Sequence, residues 1–184
     1  MFIPSNKNQS TLSAAFHETG HVLIHEVFGW SYTDAYVNEA GKEGVRYTYS
    51  DPREESPVLD KLIYACICLA GSIAEDKFDR PNIKRKELGV SLIDGGLDQE
   101  SDISKYYSLK FPPELFEEII DATIDIILDN WEAVSKIATT LEKEGHLTNE
   151  DVKKLLNEAD LTENKSIYMD RLEQIQKIID TGSL

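Results

Sequence analysis

Between Thr11 and Phe28 the apolar residues Ala14, Ala15, Phe16, Val22, Leu23, Ile24, Val27 and Phe28 occupy more than one side of a helical wheel. Ser10 or Thr11 offers an N-cap and Gly29 a stop. The pattern therefore predicts a helix over 11–28 that is apolar on most sides and buried at the domain centre. Two short segments of aromatic and β-branched alternation follow, Tyr32 to Val37 and Val45 to Tyr49, with Gly41 and Gly44 between them; they predict a β-hairpin. After a linker holding Pro52 and Pro57, Leu59, Leu62, Ile63, Cys66, Leu69, Ala70 and Ile73 recur at helical spacing.

From Asp79 to Gly96 the punctuation of Pro81, Gly89, Gly95 and Gly96 predicts a loop. A helix is expected to start near Leu97 or Asp98 and pass Tyr107. Beyond Pro112 and Pro113 one long helix is expected to run to about Glu144, where Gly145 ends it. Thr148 then caps a short helix through Leu156. The segment from Ser166 to Ile179 is amphipathic, with Ile167, Leu172, Ile175 and Ile179 on one side, and suits either a packing helix or an oligomer contact. The expected fold is mainly α with a small β-hairpin or sheet. It forms one domain over 1–184, with an arm at 1–10, a core at 11–157 and a tail helix in 158–184.

Charge narrows the function classes. The 184 residues include 34 acidic and 19 basic ones, for a formal net charge of -15. Such an excess repels phosphate backbones and anionic lipid, which argues against nucleic-acid and membrane partners. The most apolar stretch, Leu62 to Ala70, falls far short of the roughly 20 residues that span a bilayer. The first residues also lack an apolar core of signal-peptide length. A soluble, cytoplasmic protein is the expectation. Cys66 and Cys68, the only cysteines, diverge two apart on a helix and read as small core residues rather than ligands or a disulfide.

One motif carries chemistry. His17-Glu18-Thr19-Gly20-His21 matches H-E-x-x-H. Residues four apart on a helix differ by about 40° in rotation and one turn in height, so two imidazoles can reach one ion. Glu18 lies about 100° round from His17, on the flank of the ion, where it serves as a general base rather than a ligand. His25 continues the series one turn too far and reads as an outer support or surface residue. A catalytic zinc takes three protein ligands and keeps a position for water. Ile24 and Val27 exclude the metzincin pattern, which needs Gly and His there. Carboxylates downstream remain as third-ligand candidates: Glu75, Asp94, Asp98 and Asp102.

The segment AAFHETGHVLIHEVFG resembles the HEAGH helix of the FtsH-type zinc metalloproteases. LAGSIAEDKF is similar to that family's second conserved helix, with Gly71, Ala74 and Glu75 matching. QESDI resembles the element whose aspartate is the third zinc ligand, and the match is Asp102. ILDNWEAVSKIATTLEKEGHLTNEDVKKLL is similar to the family's long helix and the capped helix behind it. The likeness covers roughly 11–157. Thr19 departs from the usual Ala and Ser101 from the usual Asn, and Asp98, one turn before Asp102, is the alternative third ligand. Glu75 becomes an outer support that accepts a ligand imidazole N–H.

The resemblance implies an FtsH-type peptidase domain with one zinc ion on His17, His21 and Asp102, and Glu18 activating the water. No G-x-x-x-x-G-K-[ST] loop occurs in the sequence, so there is no ATP site, and the chain reads as a stand-alone, ATP-independent metallopeptidase acting on peptides or unfolded segments. The strand at Val45 to Tyr49 would pair with an extended substrate. A homo-oligomer or a separate ATPase partner stays open. The competing readings are an inactive protease-like binding or regulatory module with a structural zinc, and a zinc hydrolase of non-peptide amides.

Overall fold

The computed structural model describes residues 11–37, 43–88, 102–158 and 165–182. These residues form seven α-helices and one small sheet: α1 (Thr11–Phe28), β1 (Tyr32–Val37), β2 (Glu43–Tyr47), α2 (Val58–Asp79), α3 (Asp102–Ser108), α4 (Phe116–Asp129), α5 (Trp131–Glu144), β3 (His146–Thr148), α6 (Asn149–Glu158) and α7 (Lys165–Thr181). No helix among them is long and apolar enough to cross a membrane.

Helix α1 has the bounds that its pattern predicts, and its all-round apolar surface has a structural reason. It packs against α2, α5 and the sheet together. Val22, Leu23 and Ile24 are fully buried, and Phe16 is stacked between Phe78 of α2, at 4.2 Å, and Trp131 of α5, at 5.3 Å. Removing these side chains from water is what holds the centre together, at roughly 1.5–3 kcal/mol for each large apolar group.

The contact between α1 and α2 is made backbone to backbone. A Cβ placed on Gly20 would lie 2.4 Å from the carbonyl oxygen of Ala70, so only glycine lets the two helices approach this closely.

The sheet has the order β2-β1-β3 and is antiparallel throughout. β1 and β2 pair from Tyr32↔Tyr47 to Val37↔Glu43, with an irregularity between Tyr32 and Asp34. The second strand therefore starts at Glu43, earlier than its aromatic content suggests. Gly44, expected in the turn, lies inside it, where a Cβ would sit 2.8 Å from the Tyr36 hydroxyl and press that side chain aside. β3 has only three residues and no sequence pattern of its own. It exists because β1 offers it a second edge.

Three further expectations change. The long helix expected after Pro113 is two helices, broken at Asn130, whose buried amide donates to the Ile126 carbonyl at 2.8 Å and competes with the backbone ladder. In the last helix Tyr168, Leu172 and Ile175 face inward while Ile167 is 59% exposed, so the apolar stripe is turned one residue from that expected. That helix packs on α2 and α4 of its own chain. Gly145 does end α5, in the left-handed region at φ 73°. The helix start expected near Leu97 or Asp98 lies outside the described residues.

Gly20→Ala is expected to lower folding stability by about 1–3 kcal/mol, because Ala70 is backbone and cannot yield as a side chain would. Chemical denaturation measures it, and an unchanged midpoint would contradict the helix contact described.

Candidate metal centre

Helix α1 carries His17 and His21 one turn apart, with ring centroids 4.9 Å apart. α3 brings Asp102 to the same point: its Oδ2 lies 3.3 Å from His17 Nε2 and 3.1 Å from His21 Nε2. One ligand atom from each of the three residues lies within 4.8 Å of the other two. Ligand atoms at 2.0–2.1 Å from a tetrahedral zinc sit roughly 3.3–3.4 Å apart, so the Asp102 separations are close to those an ion imposes.

The other ring nitrogens explain why these atoms converge. His21 Nδ1 is 2.7 Å from the carbonyl oxygen of Ile67. A carbonyl only accepts, so Nδ1 carries the proton and Nε2 presents a lone pair. His17 Nδ1 likewise meets the Glu75 carboxylate at 3.0 Å. Further back, the Ser13 hydroxyl lies between the carboxylates of Glu75, at 3.3 Å, and Asp79, at 3.1 Å, and its one proton is shared between them. Two fixed tautomers and a carboxylate oxygen thus aim electron pairs at one place, which only a proton or a cation can reconcile.

Lys105, one turn along α3, holds the remaining oxygen, Asp102 Oδ1, at 2.9 Å. Space is provided by Gly71 on α2, where a Cβ would lie 2.5 Å from His21 Nε2 and 2.6 Å from His17 Nε2. The donor set and this cradle fit a divalent ion, and these three residues can hold one.

Electrostatics without an ion follow from the same geometry. Burial pushes the His17 imidazole down, but hydrogen bonds to Asp102 and Glu75 and the nearby Glu18 outweigh it, and its pKa is pushed up to about 10. Burial would raise the Asp102 carboxyl, yet the two imidazoles and Lys105 hold it well below the usual carboxylate range. Glu18 is not in the triad. It is 5% exposed, and burial raises its pKa although His21 and His17 oppose the shift. Such a carboxyl is suited to accept and release a proton.

Glu18, His21 and Asp102 line a cleft of about 270 Å³, whose opposite wall includes Glu43, Gly44 and Val45 of β2. β2 is an edge strand of the sheet and lends these three residues to the lining of the cleft.

The structure thus brings together His17, His21, Asp102, Glu18 and Glu75. Asp94 and Asp98 lie outside the described residues. His25 is neither a ligand nor a surface residue. It is 1% exposed among Tyr32, Tyr47 and Tyr49, with its Nε2 3.3 Å from the Tyr49 hydroxyl. Cys66 and Cys68 are buried free thiols, and Cys68 also reaches the cleft wall. Lys105 and the Ile67 carbonyl were not among the sequence candidates. Lys105 had a signal, its spacing of three from Asp102; a backbone carbonyl has none.

No protein-family model matches the chain, and a search of curated proteins finds no match.

Burial drives the His25 pKa down from 6.5 to about 4. The folded chain keeps this imidazole neutral, while the unfolded chain takes up a proton below pH 6.5. His25 therefore costs stability as pH falls from 6.5 towards 4, by up to about 3 kcal/mol, with no further loss below that. The stability difference between wild type and His25→Phe is expected to change over this window and stay flat above pH 7. Parallel profiles would contradict a neutral, buried His25.

Proposed function

We propose that this chain is a zinc metallopeptidase of the FtsH-like type, which hydrolyses peptide bonds in peptides or unfolded segments without ATP. The observation that carries the reading is the convergence of His17 Nε2, His21 Nε2 and Asp102 Oδ2 on a cradle kept open by Gly71, with buried Glu18 beside it in a cleft. A structural zinc needs no carboxyl poised in this way, and structural sites are closed by four protein ligands whereas three converge here among the described residues.

Zinc bound to the triad supplies Lewis acidity, lowering the pKa of water towards about 7 and polarising a carbonyl. The rest falls to this chain's own groups. Glu18 takes the proton from the attacking water and hands it to the departing amine, so one carboxyl serves as base and then as acid. Ile67 and Glu75 keep each ligand imidazole in one tautomer. Lys105 keeps Asp102 turned to the triad through a single oxygen. The edge of β2 offers backbone donors and acceptors to an extended peptide lying in the cleft, which holds the scissile bond still. A folded protein cannot present such a segment, and the sequence carries no phosphate loop to drive unfolding. Substrates are therefore already extended, or are delivered by a separate ATPase partner.

The test uses purified protein, zinc and casein as an unfolded substrate. Glu18→Gln is expected to keep its zinc while cleavage falls by about 10²–10⁴-fold. Asp102→Asn is expected to lose most of its zinc under the same dialysis. A wild-type chain that takes up no metal from excess zinc, or undiminished cleavage by Glu18→Gln, would sink the proposal.

A further inference from the structure

A second pocket adjoins the elements that frame the metal cleft. Its volume is about 370 Å³, and its lining includes Arg53, Lys61, Lys110, Ser108 and Glu54. Three cations against one carboxylate is a local reversal in a chain of net charge -15. Several cations in this protein find an acidic partner, as Arg46 does in Asp34, Arg80 in Asp76, and Arg85 and Arg171 in Asp125. Among the described residues Arg53 and Lys110 have no acidic partner, and Lys61 donates to the Glu54 backbone carbonyl rather than to a carboxylate.

Lys110 is also held in an unusual conformation. At φ 56° it is the one non-glycine residue in the left-handed region among the described residues. It follows the end of α3, where its backbone N–H caps the Tyr107 carbonyl at 3.2 Å. Glycine is the ordinary residue at such a helix end, and any side chain there costs roughly 1 kcal/mol or more. A lysine at this position gives up stability and places an ammonium at the pocket.

The pocket lies next to the proposed path of a peptide. Lys110 lies two residues past the end of α3, whose seven residues from Asp102 rise about 10 Å. That span equals roughly three to four residues of extended chain. Arg53 follows β2 through Asp51, which accepts a hydrogen bond from the Tyr47 hydroxyl at 3.2 Å. A peptide lying along β2 in the cleft thus has a row of cations within reach of one end.

We propose that this basic pocket is an exosite for a carboxylate carried by the peptide, either an acidic side chain about four residues from the scissile bond or the terminal carboxylate. The inference rests on the peptidase reading for its substrate and extends it to a preference for acidic segments. The same charge makes the preference strongest at low salt.

The experiment measures binding of three fluorescent peptides to zinc-loaded Glu18→Gln protein. All share a neutral core; one is amidated, one has a free C-terminal carboxylate, and one is amidated and carries two added aspartates. One carboxylate-bearing peptide or both should bind about fivefold or more tightly than the neutral one at low salt, and which of them does so identifies the source of the carboxylate. Adding Lys110→Gly or Arg53→Gln should remove the advantage and leave neutral-peptide binding unchanged. Lys110→Gly should also keep or raise the melting temperature, because it relieves the backbone, so a loss of binding cannot be ascribed to unfolding.

Equal affinity for all three peptides, or an advantage that survives both substitutions, overturns the exosite. Casein cleavage by the wild type is scored separately. A chain that favours carboxylate peptides but cleaves nothing keeps the exosite and loses the peptidase, and a chain that cleaves without preference does the reverse.

Discussion

The site depends on how closely α1 lies against α2. Two glycines set that distance from opposite sides: Gly20 on α1 admits the Ala70 carbonyl, and Gly71 on α2 admits the two imidazole tips. A methyl group at either place would meet an atom at 2.4 or 2.5 Å. The approach lets α2 deliver both supports of the histidines, the Ile67 carbonyl one turn before Gly71 and Glu75 one turn after it. Close packing and tautomer control are thus one constraint, imposed by glycines that make no polar contact with the triad themselves.

Three acceptor atoms facing one another are unstable without a positive charge between them. In the metal-free chain the proton on His17 fills that need, which is why its pKa rises despite burial while the Asp102 carboxyl falls. An ion and that proton therefore compete for one place, and taking up metal means giving up the proton. Lys105 adds a fixed cation on the outer oxygen of Asp102 and stabilises the carboxylate whichever occupant is present.

Much of this was legible in the sequence where a local rule sufficed. Helix α1 showed its bounds through apolar density, and His17 and His21 showed their common face through spacing alone. Glu75 and Asp102 are different. Nothing local says that a residue 58 or 85 positions away meets His17; only likeness to a known arrangement singled them out. The break at Asn130 was hidden because the apolar period carries on across it, while the cause is one buried amide turned back on the helix. β3 was hidden because three residues make no period, and its pairing is decided by β1. The surface alternative for His25 fails because a histidine reads as polar, whereas three tyrosines make a neutral imidazole a good core residue.

Asp102 also says something about how the site is assembled. It belongs to α3, whose described residues pack on α2. Tyr106 is buried and packs on Phe116 at 5.1 Å, which fixes the far end of α3 against α4. Ile103 packs against the core, and Asp102 beside it meets the imidazoles of α1. The third arm of the triad is thus held by packing and charge together, on the more exposed side of the site. An ion would stabilise it more than it stabilises α1, which is already in place. Metal uptake should therefore steady the α3 side of the cleft while leaving the helix pair almost unchanged, coupling occupancy of the centre to the shape of the cleft.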